Sequence, residues 1–101
     1  MNKVFETATF AKDLKQLSKS EQLQVESLKD QLAQTLDVGK PLRYSFLREK
    51  RITDKRVYFL VYEDKFAVLL TAISDKKTQQ ETIDKIIELL PEFKKLMNEL
   101  T

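Results

Sequence analysis

Seven cations fall within the seventeen residues from Lys40 to Arg56: Lys40, Arg43, Arg48, Lys50, Arg51, Lys55 and Arg56, set against only Glu49 and Asp54. The stretch carries a local charge of +5 in a chain whose net charge is +2, so the remaining residues sum to −3. Guanidinium and ammonium groups at this density suit one task, the binding of phosphate. Arginine does so through paired, parallel N–H donors, and the attraction reaches about 10 Å in physiological salt. Edge-strand cations also deter aggregation, which explains one or two of them but not seven. A second cationic pair, Lys76-Lys77, precedes a C-terminal helical stretch. Cations at a helix start oppose its dipole, and that local cost points to a role outside helix stability.

The residue types that are missing narrow the chemistry further. The sequence contains no Cys and no His, which excludes disulfides, thiolate nucleophiles, Cys/His zinc sites and Ser-His-Asp triads. Its single glycine, Gly39, excludes phosphate loops and dinucleotide fingerprints, which need several. No cofactor and no metal is implied. Met1–Phe10 does not read as a signal peptide, and no apolar run approaches the ~18–20 residues of a membrane span. A soluble, cytoplasmic chain with no membrane segment is expected, folded as one domain over residues 1–101.

The elements that must position these cations follow from periodicity. Lys3–Ala8 is compatible with a first strand. Phe10, Leu14 and Leu17 recur at helical spacing, and Ser18-Lys19-Ser20 supplies a break and an N-cap for a second helix over Glu21–Leu36, with Val25, Leu28, Leu32 and Leu36 on one stripe. Gly39 stands where a left-handed residue closes that helix, and the two helices should form an antiparallel hairpin. Leu42–Ile52, Arg56–Glu63 and Phe66–Ile73 read as three strands joined by turns at Thr53-Asp54-Lys55 and Asp64-Lys65. Ser74-Asp75 caps a helix over Thr78–Leu90, and Pro91 either kinks it or opens a new one. The order is β-α-α-β-β-β-α, an α+β fold: a small antiparallel sheet of an N-terminal strand plus a three-strand meander, backed by the helical hairpin, with a C-terminal helix.

Alternation along Arg56–Glu63 puts Val57, Phe59 and Val61 on one face, suited to packing under the helices. Arg56, Tyr58, Leu60 and Tyr62 share the other, where a guanidinium and two rings would suit a single-stranded nucleic acid. The two ends of the Lys40–Gln79 stretch, Arg43/Arg48 and Lys76/Lys77, are expected to converge around Arg56.

Together these features resemble the RelE/ParE superfamily of toxins from toxin–antitoxin pairs, over Lys3–Ile87. The resemblance rests on the opening strand and the helix Phe10–Leu17, then Gly39-Lys40-Pro41-Leu42-Arg43, Leu47-Arg48 and the strand Arg56–Tyr62. The block from Leu69-Leu70 to Lys76-Lys77-Thr78-Gln79 is most similar to the HigB and phage-derived branch. The resemblance implies a ribonuclease that cuts mRNA in the ribosomal A site by attack of a 2′-hydroxyl on its own phosphate, inhibits translation and is held inactive by a cognate antitoxin. On this reading Arg48, Arg56, Lys76 and Lys77 carry the reaction, and Arg43, Lys50, Arg51, Lys55 and Tyr58 contact RNA. Family members commonly place a Tyr or His after the last motif; here that neighbourhood reads Gln79-Gln80-Glu81-Thr82-Ile83. The proton acceptor therefore stays open among a lysine, Glu81, Asp75 and Tyr58. Two alternatives share the resemblance: a non-catalytic protein that binds RNA or antitoxin, and a gyrase inhibitor.

Overall fold

The structure, a computed structural model, describes residues 1–101. Five strands form one sheet in the order β1-β5-β4-β3-β2: β1 (Lys3–Glu6), β2 (Lys40–Pro41), β3 (Leu47–Ile52), β4 (Lys55–Tyr62) and β5 (Ala67–Ser74). Helices α1 (Ala8–Lys15) and α2 (Lys19–Gln34) follow β1, and α3 (Gln79–Glu88) and α4 (Leu90–Leu100) follow β5. The α+β class and the β3-β4-β5 meander are as expected. The sheet is mixed rather than antiparallel, because β1 runs parallel to β5. No hairpin ties β1 to its neighbour, so a turn does not dictate its direction, and the chain returns through both helices to the far edge of the sheet.

Helices α1 and α2 each begin where a side chain satisfies an orphan N–H. Thr7 accepts from the Phe10 amide, and Ser18 and Glu21 form a reciprocal capping box at α2. Helix α2 ends at Gln34, earlier than the sequence suggests, and Gly39 closes no helix. Its φ of +84° instead lets the chain pass close over β3 and β4; a Cβ there would lie 2.8 Å from the Phe59 ring and 3.1 Å from the Glu49 carbonyl. Pro91 stands in the first turn of α4, so the C-terminal stretch is two helices.

Helices cover both sheet faces. On one face Phe10 of α1 and Val25, Leu28 and Leu32 of α2 pack with Val57, Phe59, Val61, Val68 and Leu70. On the other, Ile83 and Ile86 of α3 cover Leu47, Tyr58 and Leu60, and Met97 of α4 covers Ala67 and Leu69. Strand β5 changes register between these halves. Tyr58 pairs with Ala72 while Phe59 pairs with Leu70, leaving Thr71 as an extra residue. The buried Thr71 hydroxyl donates to the Tyr58 carbonyl at 3.1 Å, and its own carbonyl accepts from Thr7 Oγ1 at 2.9 Å.

Candidate nucleic-acid interface

Cross-strand register builds the site. On the face covered by α3, Lys40 lies opposite Glu49, Glu49 opposite Tyr58, and Tyr58 opposite Ala72. The next row on that face holds Arg51, Arg56 and Ser74. Arg51 and Arg56 are thus like charges placed directly across from each other, an arrangement that destabilises a strand pair unless something negative offsets it. Glu49 does so in part. Its Oε1 lies 3.2 Å from Arg56 Nε and accepts from Gln79 Nε2 at 3.1 Å. Both side chains of the ion pair are largely buried, 14% exposed for Arg56 and 11% for Glu49.

The short Thr53-Asp54 turn holds the two guanidiniums near its backbone. Arg51 Nε donates to the Thr53 carbonyl at 3.0 Å and Arg56 Nη1 to the Asp54 carbonyl at 3.4 Å. Thr53 itself has φ of +52°, and its hydroxyl reaches Glu21 of α2 at 2.6 Å. That hydroxyl and the Ser18 amide hold the Glu21 carboxyl below its usual pKa. The turn that carries both arginines is therefore anchored to α2.

The expected residues divide into three groups. Arg51 and Arg56 meet on the α3 face, and the exposed Lys76 and Lys77 follow Ser74, the β5 partner of Arg56, by two and three residues. Lys50 pairs with Val57 and Lys55 with Ile52, so both belong to the opposite face. Arg43 is exposed in the loop between β2 and β3. The expected convergence of Arg43 and Arg48 on Arg56 does not occur.

Two residues take structural work instead. Arg48 Nη1 donates to the Leu36 carbonyl at 2.6 Å and the Val38 carbonyl at 3.2 Å, while Nε donates to the Ser45 carbonyl at 3.0 Å. These bonds fasten the two loops on either side of β2 and turn Arg48 away from the Arg56 face. Tyr58 is fully buried under α3, its hydroxyl 2.8 Å from Ser74 Oγ. It cannot stack on a base, because α3 covers the face that the sequence reading left open.

The same geometry sorts the candidate proton acceptors. Burial pushes the Tyr58 phenol up, only partly offset by the Ser74 hydroxyl, so it keeps its proton. The Thr78 amide and hydroxyl hold the Asp75 carboxyl below its usual range, and both bonds fall on Oδ1. Glu81 lines a separate groove between α1 and α3, with Thr7, Asp13 and Lys85. Glu49 is the carboxylate in contact with Arg56, and it is not among the acceptors that the sequence suggests. A signal was present: the short turn between β3 and β4 fixes the register that sets Glu49 opposite Tyr58 and one row from Arg56.

No protein-family model and no curated protein sequence matches the chain. Solved structures do resemble it. The isolated E. coli RelE toxin superposes with a TM-score of 0.66 at 12% identity, over 85% of this chain and 99% of that one. The toxin–antitoxin complex RelBE2 from Mycobacterium tuberculosis gives 0.62 at 23% identity, over 74% and 98%. The RelB–RelE antitoxin–toxin complex from Methanococcus jannaschii gives 0.58 at 18%, over 77% and 96%. The chain has the fold of RelE toxins, and nearly the full length of each of these structures is represented in it. No helix is long and apolar enough to cross a membrane.

Proposed function

We propose that this protein is the toxin of a toxin–antitoxin pair, a ribosome-dependent endoribonuclease that cuts mRNA in the cytoplasm, and that a cognate antitoxin binds and silences it. The observation that carries the reading is the Arg51–Arg56 pair, two like charges directly across from each other with one carboxylate, Glu49, on Arg56, and with Lys76-Lys77 just beyond Ser74, the β5 partner of Arg56. A phosphate bound there relieves their repulsion. The likeness to RelE toxins and to RelB–RelE complexes supports a toxin role and an antitoxin partner.

In the reaction, the 2′-oxygen of a ribose attacks the adjacent phosphorus and the bond from phosphorus to the 5′-oxygen breaks. The products are a 2′,3′-cyclic phosphate and a free 5′-hydroxyl. The 2′ proton passes to the Glu49 carboxylate, and the leaving 5′-oxygen takes a proton from Lys76 or Lys77. Arg51 and Arg56 offset the charge that builds on the non-bridging oxygens, where fixed donors lower the barrier most. Expression should arrest growth, and purified protein should cut mRNA on stalled ribosomes, with activity lost in Arg56→Ala and Lys77→Ala. Intact mRNA in the presence of folded protein and ribosomes refutes the reading, and DNA damage with mRNA untouched transfers it to gyrase.

A further inference from the structure

At the other end of the sheet, a cavity of about 530 Å³ opens between the β2–β3 loop, the end of β4 and α4. Phe46, Arg48, Tyr62, Lys65, Lys94 and Asn98 line it. Tyr62 lies six residues along β4 from Arg56, about 20 Å at the rise of an extended strand, so this is not the site described above. We infer that it is a nucleotide subsite, which seats one base of a single-stranded RNA on Phe46 with the adjoining phosphate on Lys65 and Lys94. The inference rests on the RNA reading for its natural ligand.

Three features carry it. Phe46 and Tyr44 are stacked, ring centroids 5.1 Å apart and 11° from parallel, and both are more than a third exposed although they join no core cluster. A flat aromatic platform at a surface is a costly use of apolar area unless something lies on it, and a base does so for about 1–3 kcal/mol. The platform is also rigid. Arg48 pins the Ser45 carbonyl, and the Phe46 carbonyl accepts from the Val61 amide at 2.8 Å, so the loop is ordered before any ligand arrives. Finally, the polar groups are varied, as a base and a phosphate require. Burial pushes the Tyr62 phenol up to about 12, leaving it a donor at neutral pH. Asn98 offers both donor and acceptor. Glu63 and Asp64, on the neighbouring 3-10 turn, accept from an exocyclic amine and disfavour a polyphosphate.

The test titrates the isotope-labelled full chain with adenosine 5′-monophosphate and separately with inorganic phosphate, following backbone amide shifts. Adenosine monophosphate should saturably shift Phe46, Tyr62 and Lys94, and phosphate alone should not. Phe46→Ala should abolish those shifts and weaken a short single-stranded RNA about five- to 150-fold, the equivalent of one lost stack. Phe46→Leu keeps an apolar side chain at this exposed position, so equal loss in both variants assigns the effect to the ring rather than to folding. Lys94→Ala should flatten the slope of log affinity against log salt by about 0.7, and Phe46→Ala should leave it unchanged. Nucleotide shifts confined to Arg51 and Arg56, unaltered RNA affinity in Phe46→Ala, or occupation of the cavity by a protein partner but by no nucleotide each overturn the subsite. Loss of the subsite with mRNA cleavage intact leaves the proposed function standing. Nucleotide binding at Phe46 in a chain that cleaves no RNA does the reverse.

Discussion

Glu49→Gln should move binding and cleavage in opposite directions. The carboxylate lies 3.2 Å from Arg56 and shares its oxygen with Gln79. The amide keeps the size and a hydrogen-bond acceptor but removes the charge. A phosphate on the far side of the Arg56 guanidinium sits about 6 Å from this carboxylate, where like charges at a largely buried ion pair repel by about 1–3 kcal/mol. Removing that repulsion should tighten a non-cleavable single-stranded RNA about five- to 150-fold. The proton acceptor is lost in the same step, and single-turnover cleavage on stalled ribosomes should fall about 10²–10⁴-fold. Losing the charge leaves Arg56 largely buried beside Arg51 with no offset, which costs about 3 kcal/mol of stability, within the 5–15 kcal/mol typical of a domain. The measurements are fluorescence anisotropy for affinity and product yield for cleavage, with a melting curve to confirm folding. Wild-type cleavage in Glu49→Gln would refute Glu49 as the acceptor. Weaker RNA binding would show instead that the carboxylate chiefly holds Arg56 in position.

Three further outcomes follow from the structure. The Tyr62 phenol is displaced from 10 to about 12 by burial, so the unfolded chain gives up its proton first as pH rises; stability is intact below about pH 10 and declines toward pH 12. Tyr62→Phe should lose that part of the alkaline dependence, read by chemical denaturation across the range. Gly39→Ala forces a side chain into φ of +84° and against the Phe59 ring, and should destabilise by at least about 2 kcal/mol in denaturant melts. Phe66 is 68% exposed with φ of +49°, a conformation that asparagine tolerates better, so Phe66→Asn should raise stability by about 0.5–1 kcal/mol.

Much of the fold was legible because strand alternation is a local property. Val57, Phe59 and Val61 do pack under α1 and α2, as their spacing requires. The turn was legible at Thr53-Asp54-Lys55, but Lys55 belongs to β4 and pairs with Ile52, and that one residue sets which cations face which. What escaped depends on contacts distant in sequence. Tyr58 looks like an exposed stacking ring until α3, over twenty residues later, closes over it. Arg48 looks like every other cation in its ribbon, and only the path of the chain around β2 gives it three carbonyls to hold. Glu49 looks solvated because its neighbours in sequence are charged, whereas its neighbours in space are Arg56 and Gln79. The parallel direction of β1 has no local signal at all.

The extra residue in β5 acts as a phase shifter. Up to Leu70 the strand alternates in one phase, with Ala67 and Leu69 under α4 and Val68 and Leu70 under α1 and α2. Beyond Thr71 it alternates in the other, which is why Ile73 joins the α1–α2 core and Ser74 meets Tyr58 on the α3 face. Pairing Thr71 regularly in the ladder, without the bulge, would swap those two destinations, sending an isoleucine toward the cationic site and a hydroxyl into the core. The bulge thus lets the packing half of the strand and the half that borders the site drift independently in sequence. Two proteins of this fold that differ by that single residue would read out of step through the segment leading to Lys76 and Lys77, and their kinship would be plainer in shape than in letters.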